Sequence, residues 1–187
     1  MSITTSAPII PDYIAGTWSI DPVHSDVSFS VRHMMVSKVR GRFGRFEGTI
    51  VTGENPLDSS GTASIDLASV DTNDEQRDAH IRSADFLDVE RYPTMTFRST
   101  AVRPTAKGFV LDGELSLHGV TRTVSLDLEV NGFGPDPFGG TRAGFSATGE
   151  IRRSDFGVDT TLPLDGGGVV VGDKIQLSLE IEAVLEA

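Results

Sequence analysis

The chain has 187 residues and a mass of 20.0 kDa, the size of one compact domain rather than two. Hydrophobic residues at 38% and charged residues at 23% exclude a disordered or membrane-embedded chain. A formal net charge of −11 turns the molecule as a whole away from phosphate backbones and anionic lipid surfaces, and the lack of cysteine removes disulfides, zinc–thiolate sites and thiol nucleophiles.

Residues 1–16 contain Ile9, Ile10 and Ile14 but neither a basic leader nor a long apolar run. No signal peptide or membrane anchor is expected there, and the chain reads as cytoplasmic. Pro8 and Pro11 give this stretch the character of an extended arm, lying along the body or disordered, with the domain proper at 17–187.

From Trp18 onward the dominant period is two, interrupted by clusters of Gly, Pro, Asn and Asp, which predicts an antiparallel β protein. After Ser25 one face carries Val27, Phe29, Val31, His33 and Met35, and the other Ser28, Ser30, Arg32 and Met34. Between Phe43 and Phe46 the apolar parity slips by one at Gly44, the mark of a bulge. The same rule recurs in Ala63, Ile65, Leu67; in Met95, Phe97, Ser99, Ala101; and in Phe109, Leu111, Gly113, Leu115, Leu117. Val124, Leu126, Leu128, Val130 and finally Ile175, Leu177, Leu179, Ile181, Ala183 complete the series. About eight long strands, each apolar on one side, hide those sides by curling into a barrel; a two-sheet sandwich is the rival. Gly113 and Gly149 fall on inward positions, where a missing side chain leaves room or lets backbones approach.

One segment departs from this pattern. Thr72 with Glu75 matches a capping box, and a short helix is expected to about Ala84. Arg77, His80, Ile81 and Ala84 would then share a face, followed by Phe86 and Leu87, and such a face could plug a barrel end. Gly132–Gly140 and Pro163–Gly172, with Gly166-Gly167-Gly168, read as loops.

Several polar residues carry two readings. Parity puts His33 on the apolar face, where it meets either a ligand headgroup or a partner on a neighbouring element. Arg77 and His80 offer a cation and a titratable donor to a phosphate or carboxylate, while Arg77 with Asp78 could equally be an ion pair that docks the helix. Arg152 and Arg153 beside Asp155 read better as solvated loop. Asp21, His24 and Ser25 have the residue types of a nucleophilic triad but lack a strand–turn–helix elbow, so a turn built on Asp21-Pro22 is favoured. The four histidines, which include His118 at an expected turn before Gly119, show none of the spacings of a common metal site.

Seven segments in order carry a family likeness: Trp18–Ser25 (WSIDPVHS), Phe29–His33 (FSVRH), the RGRFGRFEG stretch ending at Gly48, Arg77–Phe86 (RDAHIRSADF), Tyr92–Ser99 (YPTMTFRS), Gly113–Gly119 (GELSLHG) and Arg153–Gly157 (RSDFG). Together they resemble the YceI family of lipocalin-like, polyisoprenoid-binding proteins over nearly everything from Trp18 to the C-terminus. The resemblance implies an elongated antiparallel barrel with a short helical insert, whose long pocket holds an isoprenoid or another amphipathic lipid. Many family members carry an export signal, which this chain does not show.

The expectation is therefore an all-β, lipocalin-like antiparallel barrel of about eight strands that binds, sequesters or carries a lipid without catalysis, cofactor or metal. Phe29, Val31, His33, Phe46, Arg77, His80, Phe86, Met95, Phe97 and Phe145 are the candidate ligand-binding residues. One rival is a lipid-modifying enzyme with His33 or His80 as general acid or base; another is an interaction or stress protein whose interior is only its core. Neither nucleic acid nor stable membrane insertion is expected, and a homodimer through an exposed strand or the arm stays open.

Overall fold

The computed structural model describes residues 8–160 and 171–187. Most of the expected Pro163–Gly172 loop, including its three consecutive glycines, lies outside the described residues. In chain order, β1 (Gly16–Ile20) and β2 (Asp26–His33) run one way, β3 (Ser37–Phe43) and β4 (Phe46–Thr52) return, and β5 (Ser60–Asp66) and β6 (Val70–Asp71) reverse again. Helix α1 (Glu75–Arg82) follows, then β7 (Thr94–Thr105), β8 (Gly108–Leu117), β9 (Val120–Pro135), β10 (Thr141–Arg152) and β11 (Val171–Leu185).

Every pairing is antiparallel, and the order β1-β4-β5-β7-β8-β9-β10-β11 closes on itself because β11 also pairs with β1, at Leu185 opposite Trp18. The earlier half of β11 pairs with β2, which pairs with β3, which pairs with β6. Thus β1/β2, β3/β4 and β5/β6 are three tall strands, each broken once, and the molecule is a closed eight-stranded antiparallel barrel with one helix. Closure pairs β1 with β11, and among the described residues only the two-residue β6 has a single strand partner. β7, β9, β10 and β11 hold 12, 16, 12 and 15 residues, so at about 3.3 Å per residue the wall is tall.

Each break has a local chemical cause. After β1, Asp21 accepts the Val23 N–H at 2.9 Å and turns the chain at Pro22. Between β3 and β4, the N–H groups of Gly44 and Arg45 leave the ladder and reach the Ser69 carbonyl and hydroxyl at 3.3 and 3.1 Å. This is the expected slip at Gly44, and it turns both Phe43 and Phe46 to the interior. Between β5 and β6, Asp66 caps a short 3₁₀ turn by accepting the Ala68 N–H at 3.0 Å.

The structure also corrects the pattern at four places. β2 stops at His33, because Met34 and Met35 take left-handed backbone angles (φ 52° and 62°) in the turn to Ser37, so Met35 leaves the inward face. A register slip between Ser99 and Ala101 passes the inward position from Ala101 to Val102. β9 continues through Gly132 to Pro135, since a second slip at Gly144/Phe145 absorbs Asn131. Finally, α1 is capped by Asp74, whose carboxylate accepts the Arg77 N–H at 3.0 Å, and ends at Arg82.

Thr72, expected as the cap, is instead buried and donates its N–H and its hydroxyl to Asp78, itself buried. Those bonds turn Asp78 and Ile81 toward the barrel and leave His80 and Ala84 exposed, unlike the face expected from sequence. Ile81 joins Phe43, Ile65, Leu67, Val70, Leu117, Ile151 and Phe156 in a packed cluster that fills the helix end of the barrel. At the opposite end a smaller cluster surrounds Trp18, which is fully buried. The indole Nε1 donates to the Thr52 hydroxyl at 2.8 Å, and that hydroxyl donates to the Ile14 carbonyl at 2.7 Å. The polar edge of the tryptophan is thereby satisfied where it cannot reach water.

Candidate functional site

Above the packed end, the inward side chains of the wall leave an apolar lumen of about 210 Å³. Phe29, Phe46, Met95, Phe97 and Phe145 line it, as do Phe43, Phe109 and Phe133. Among the described residues no charged side chain and no histidine contributes to the lining. Its buried and half-buried polar members have partners, among them Thr52 through Trp18 and Ile14, and Ser59 by accepting the Gly53 N–H at 3.1 Å, while Ser60 and Thr62 are exposed. No buried side-chain nitrogen or oxygen among the described residues lacks a partner. A cavity that offers no unpaired buried polar group rewards hydrocarbon and penalises a desolvated charge.

Inward glycines shape this space. A Cβ on Gly113 would meet the Phe97 ring at 2.4 Å, one on Gly41 the Phe29 ring at 2.4 Å, and one on Gly149 the Leu126 side chain at 2.5 Å. Each glycine is therefore a recess into which a neighbour's large side chain lies against the wall. Bulk is moved off the barrel axis, which keeps the lumen open.

Ile10, Tyr13, Pro56 and the exposed Ser60 complete the lining. The N-terminal arm is thus part of the lining. Tyr13 donates its hydroxyl to the Gly53 carbonyl at 2.6 Å and sets its ring edge-on to Phe133, centroids 5.2 Å apart. Sequence reasoning missed Ile10 and Tyr13 as lining residues; the signal was the isoleucine-rich composition of an otherwise polar arm.

The other expected binding residues do not share the lumen. Val31 and His33 sit at the helix end of β2, with His33 half-buried in register with Ser37 and Val171. Arg77 donates to the Thr72 hydroxyl and carbonyl at 2.8 and 2.6 Å, so the docking role falls to a Thr72-centred network rather than to an Arg77–Asp78 pair. His80 is exposed, bonded to Asp85 at 2.9 Å and set against the Phe86 ring at 5.0 Å. Parity fixes the face of a residue and not its depth along the axis, and these residues lie beyond the packed cluster.

Two arginines act structurally. Arg153 is buried and donates to the carbonyls of Gly172, Val158, Thr160 and Val171 at 2.8 to 3.0 Å, tying residues 158–160 to the start of β11. The solvated-loop reading of Arg153 is wrong; desolvation lowers its pKa, and four carbonyls compensate for the water it loses. Arg142 bridges Asp21, Glu182 and Asp136 at 2.7, 2.8 and 3.0 Å. Its guanidinium, then His24, holds the Asp21 carboxyl well below the usual range.

Asp21, His24 and Glu182 lie close enough to suggest a metal cluster, but Arg142 supplies the cation between the two carboxylates. Ser25 exchanges hydrogen bonds with the Glu182 backbone at 3.0 and 3.1 Å and is not aligned with His24, which agrees with a turn rather than a triad. His118 and Gly119 both have positive φ and make the two-residue hairpin between β8 and β9, as their sequence suggested.

Comparison with known proteins places this architecture. The YceI-like domain model matches residues 18–183. Protein YceI of Escherichia coli is 41% identical over 152 residues, covering 80% of each chain. The crystal structure of BcnA from Burkholderia cenocepacia superposes with a TM-score of 0.75 at 25% identity, over 87% of this chain and 98% of that one. A polyisoprenoid binding domain from Saccharophagus degradans shares the fold at a TM-score of 0.68 and 16% identity, over 92% and 100% of the two chains. With the family match spanning both ends of the barrel and the helix between them, the chain belongs to the YceI family.

Proposed function

We propose that the barrel binds the hydrocarbon chain of an isoprenoid or similar amphipathic lipid in its lumen, to sequester or carry it without chemical change. The observation that carries this reading is the uncharged lining, in which no buried polar side-chain atom among the described residues lacks a partner. Membership of the YceI family and the shared fold of a polyisoprenoid binding domain support it. The driving force is removal of apolar ligand surface from water into a preformed apolar space. At about 0.3 kcal/mol per heavy atom, each five-carbon unit seated in the lumen gains roughly 1.5 kcal/mol, about tenfold in affinity.

The lumen of about 210 Å³ is smaller than the ~300–1,000 Å³ of ordinary ligand pockets, so a long chain would seat one section inside and leave the polar end outside it. In this reading the headgroup is not held by His33, Arg77 or His80. The acid–base rival loses its support as well, because neither His33 nor His80 reaches the lumen where a bound chain would lie.

Native mass spectrometry after gentle purification, followed by solvent extraction, tests the reading. It predicts a co-purifying lipid mass that is recovered in the organic phase. Protein that is lipid-free and gains no thermal stability from added prenols would overturn it.

A further inference from the structure

The charges of this acidic chain are unevenly placed. Between Val27 and Arg45 there is no Asp or Glu, while Arg32, Lys38, Arg40, Arg42 and Arg45 all fall in that stretch. In the fold, Arg32, Lys38, Arg40 and Arg42 lie on the outer face of the β2–β3 hairpin, since their neighbours Val31 and Phe43 are on the inward parity. Arg32 stands directly opposite Lys38. On the adjoining strands Lys174 stands directly opposite Arg152, also on the outer face. All six side chains are exposed.

Like charges directly opposite one another destabilise a sheet. Two such pairs side by side favour an anion from outside the chain. Among the described residues Arg32, Lys38, Arg40 and Lys174 form no ion pair, and Arg42 has only Asp71 at 3.9 Å. Of the acids at the margin, Glu150 accepts from Gln176 at 2.6 Å, and Asp173 accepts from the Ser154 N–H and hydroxyl at 2.9 and 2.8 Å while its charge also faces Arg153 and Arg152.

The same hairpin carries an apolar tip. Met34, Met35 and Val36 are 46%, 50% and 85% exposed, and the two methionines occupy left-handed backbone angles that ordinarily favour glycine or asparagine. Three consecutive exposed apolar residues at the end of a cationic ribbon match the chemistry of a bilayer interface, with side chains in the acyl boundary and cations among phosphates. At the opposite end of the barrel Ile9 and Phe138 are exposed too, but no comparable run of cations accompanies them.

We infer that the β2–β3 hairpin is a docking element for an anionic phospholipid surface, with Met34, Met35 and Val36 inserted and Arg32, Lys38, Arg40, Lys174 and Arg152 on the headgroups. The net charge of −11 does not oppose this, because at physiological salt the field of distant carboxylates is screened beyond about 8 Å. The contact is peripheral and needs no spanning segment. It goes beyond the lumen reading and stands without it, since docking requires no ligand inside.

Sedimentation of the full chain with vesicles of phosphatidylcholine containing phosphatidylglycerol, against vesicles of phosphatidylcholine alone, tests the inference. Binding is expected to the anionic vesicles only and to weaken steeply with added salt. Lys38→Glu with Arg40→Glu should lower the partition coefficient at least tenfold, and Met34→Ser with Met35→Ser several-fold, both with unchanged circular dichroism. Equal partition into both vesicles, an unchanged charge-reversed variant, or binding to a nucleic-acid competitor without vesicle binding would overturn it. Failure here leaves lipid co-purification untouched, and failure of co-purification leaves vesicle binding untouched.

Discussion

The ring of Phe97 fills the space that a side chain on Gly113 would need, with a Cβ there only 2.4 Å from Cζ. The two residues lie on adjacent strands, Phe97 on β7 and Gly113 on β8, and the pairing lets an aromatic ring lie along the wall. Gly113→Ala should drive that ring toward the axis, destabilise the barrel by about 1–3 kcal/mol and weaken prenol binding. Gly113→Ala combined with Phe97→Leu should regain much of both. Chemical denaturation and titration of the three proteins check this; a single variant that binds as tightly as the parent would refute the wall-recess role.

Arg153 is a structural cation. Lysine in its place has one compact ammonium and cannot address four carbonyls spread over two segments, so Arg153→Lys should cost about 2 kcal/mol or more in unfolding free energy. Arg152→Lys, one residue earlier and exposed, should fall within about 0.5 kcal/mol of the parent. Equal urea midpoints for the two variants would contradict the assignment.

Acid should loosen the barrel through defined carboxylates. The Arg142 guanidinium depresses Asp21, and Arg103 followed by the Ser125 hydroxyl holds Asp112 at about 2. A carboxyl with a folded pKa below its ordinary value near 4 contributes stability that is complete above that value and disappears as pH falls through the folded one. The stability gap between parent and Asp21→Asn should therefore be constant from about pH 7 to pH 5 and narrow below pH 4. A gap that widens on acidification would have the wrong sign.

Period-two alternation made the barrel legible, because each strand must hide one face and expose the other; Leu177, Leu179 and Ile181 in the sequence are lumen-lining residues in the fold. Gly44 announced its own break. What alternation could not convey was where a strand ends or slips. Met35 has inward parity yet sits in a turn, and Ala101 yields its inward place to Val102 after one unpaired residue.

The site was half legible for the same reason. Phe97 and His33 both have inward parity, but only Phe97 lies at the depth of the lumen, and depth follows from the register of eight strands rather than from any one of them. Arg153 was misread because its four acceptors are backbone carbonyls, which have no sequence signature. Thr72 was the cap expected from sequence, but Asp78 claims it for a buried hydrogen bond, and Asp74 caps the helix instead.

The central claim is that an uncharged lumen selects its ligand by hydrocarbon. Calorimetric titration with prenols of ten, fifteen and twenty carbons, each as the free alcohol and as the monophosphate, measures it directly. The account predicts that each five-carbon unit that still fits the lumen tightens binding about tenfold, that the gain levels off once the lumen is filled, that the two headgroup series run parallel, and that His33→Ala leaves both unchanged. Affinity that is flat with chain length and set by the phosphate would contradict it.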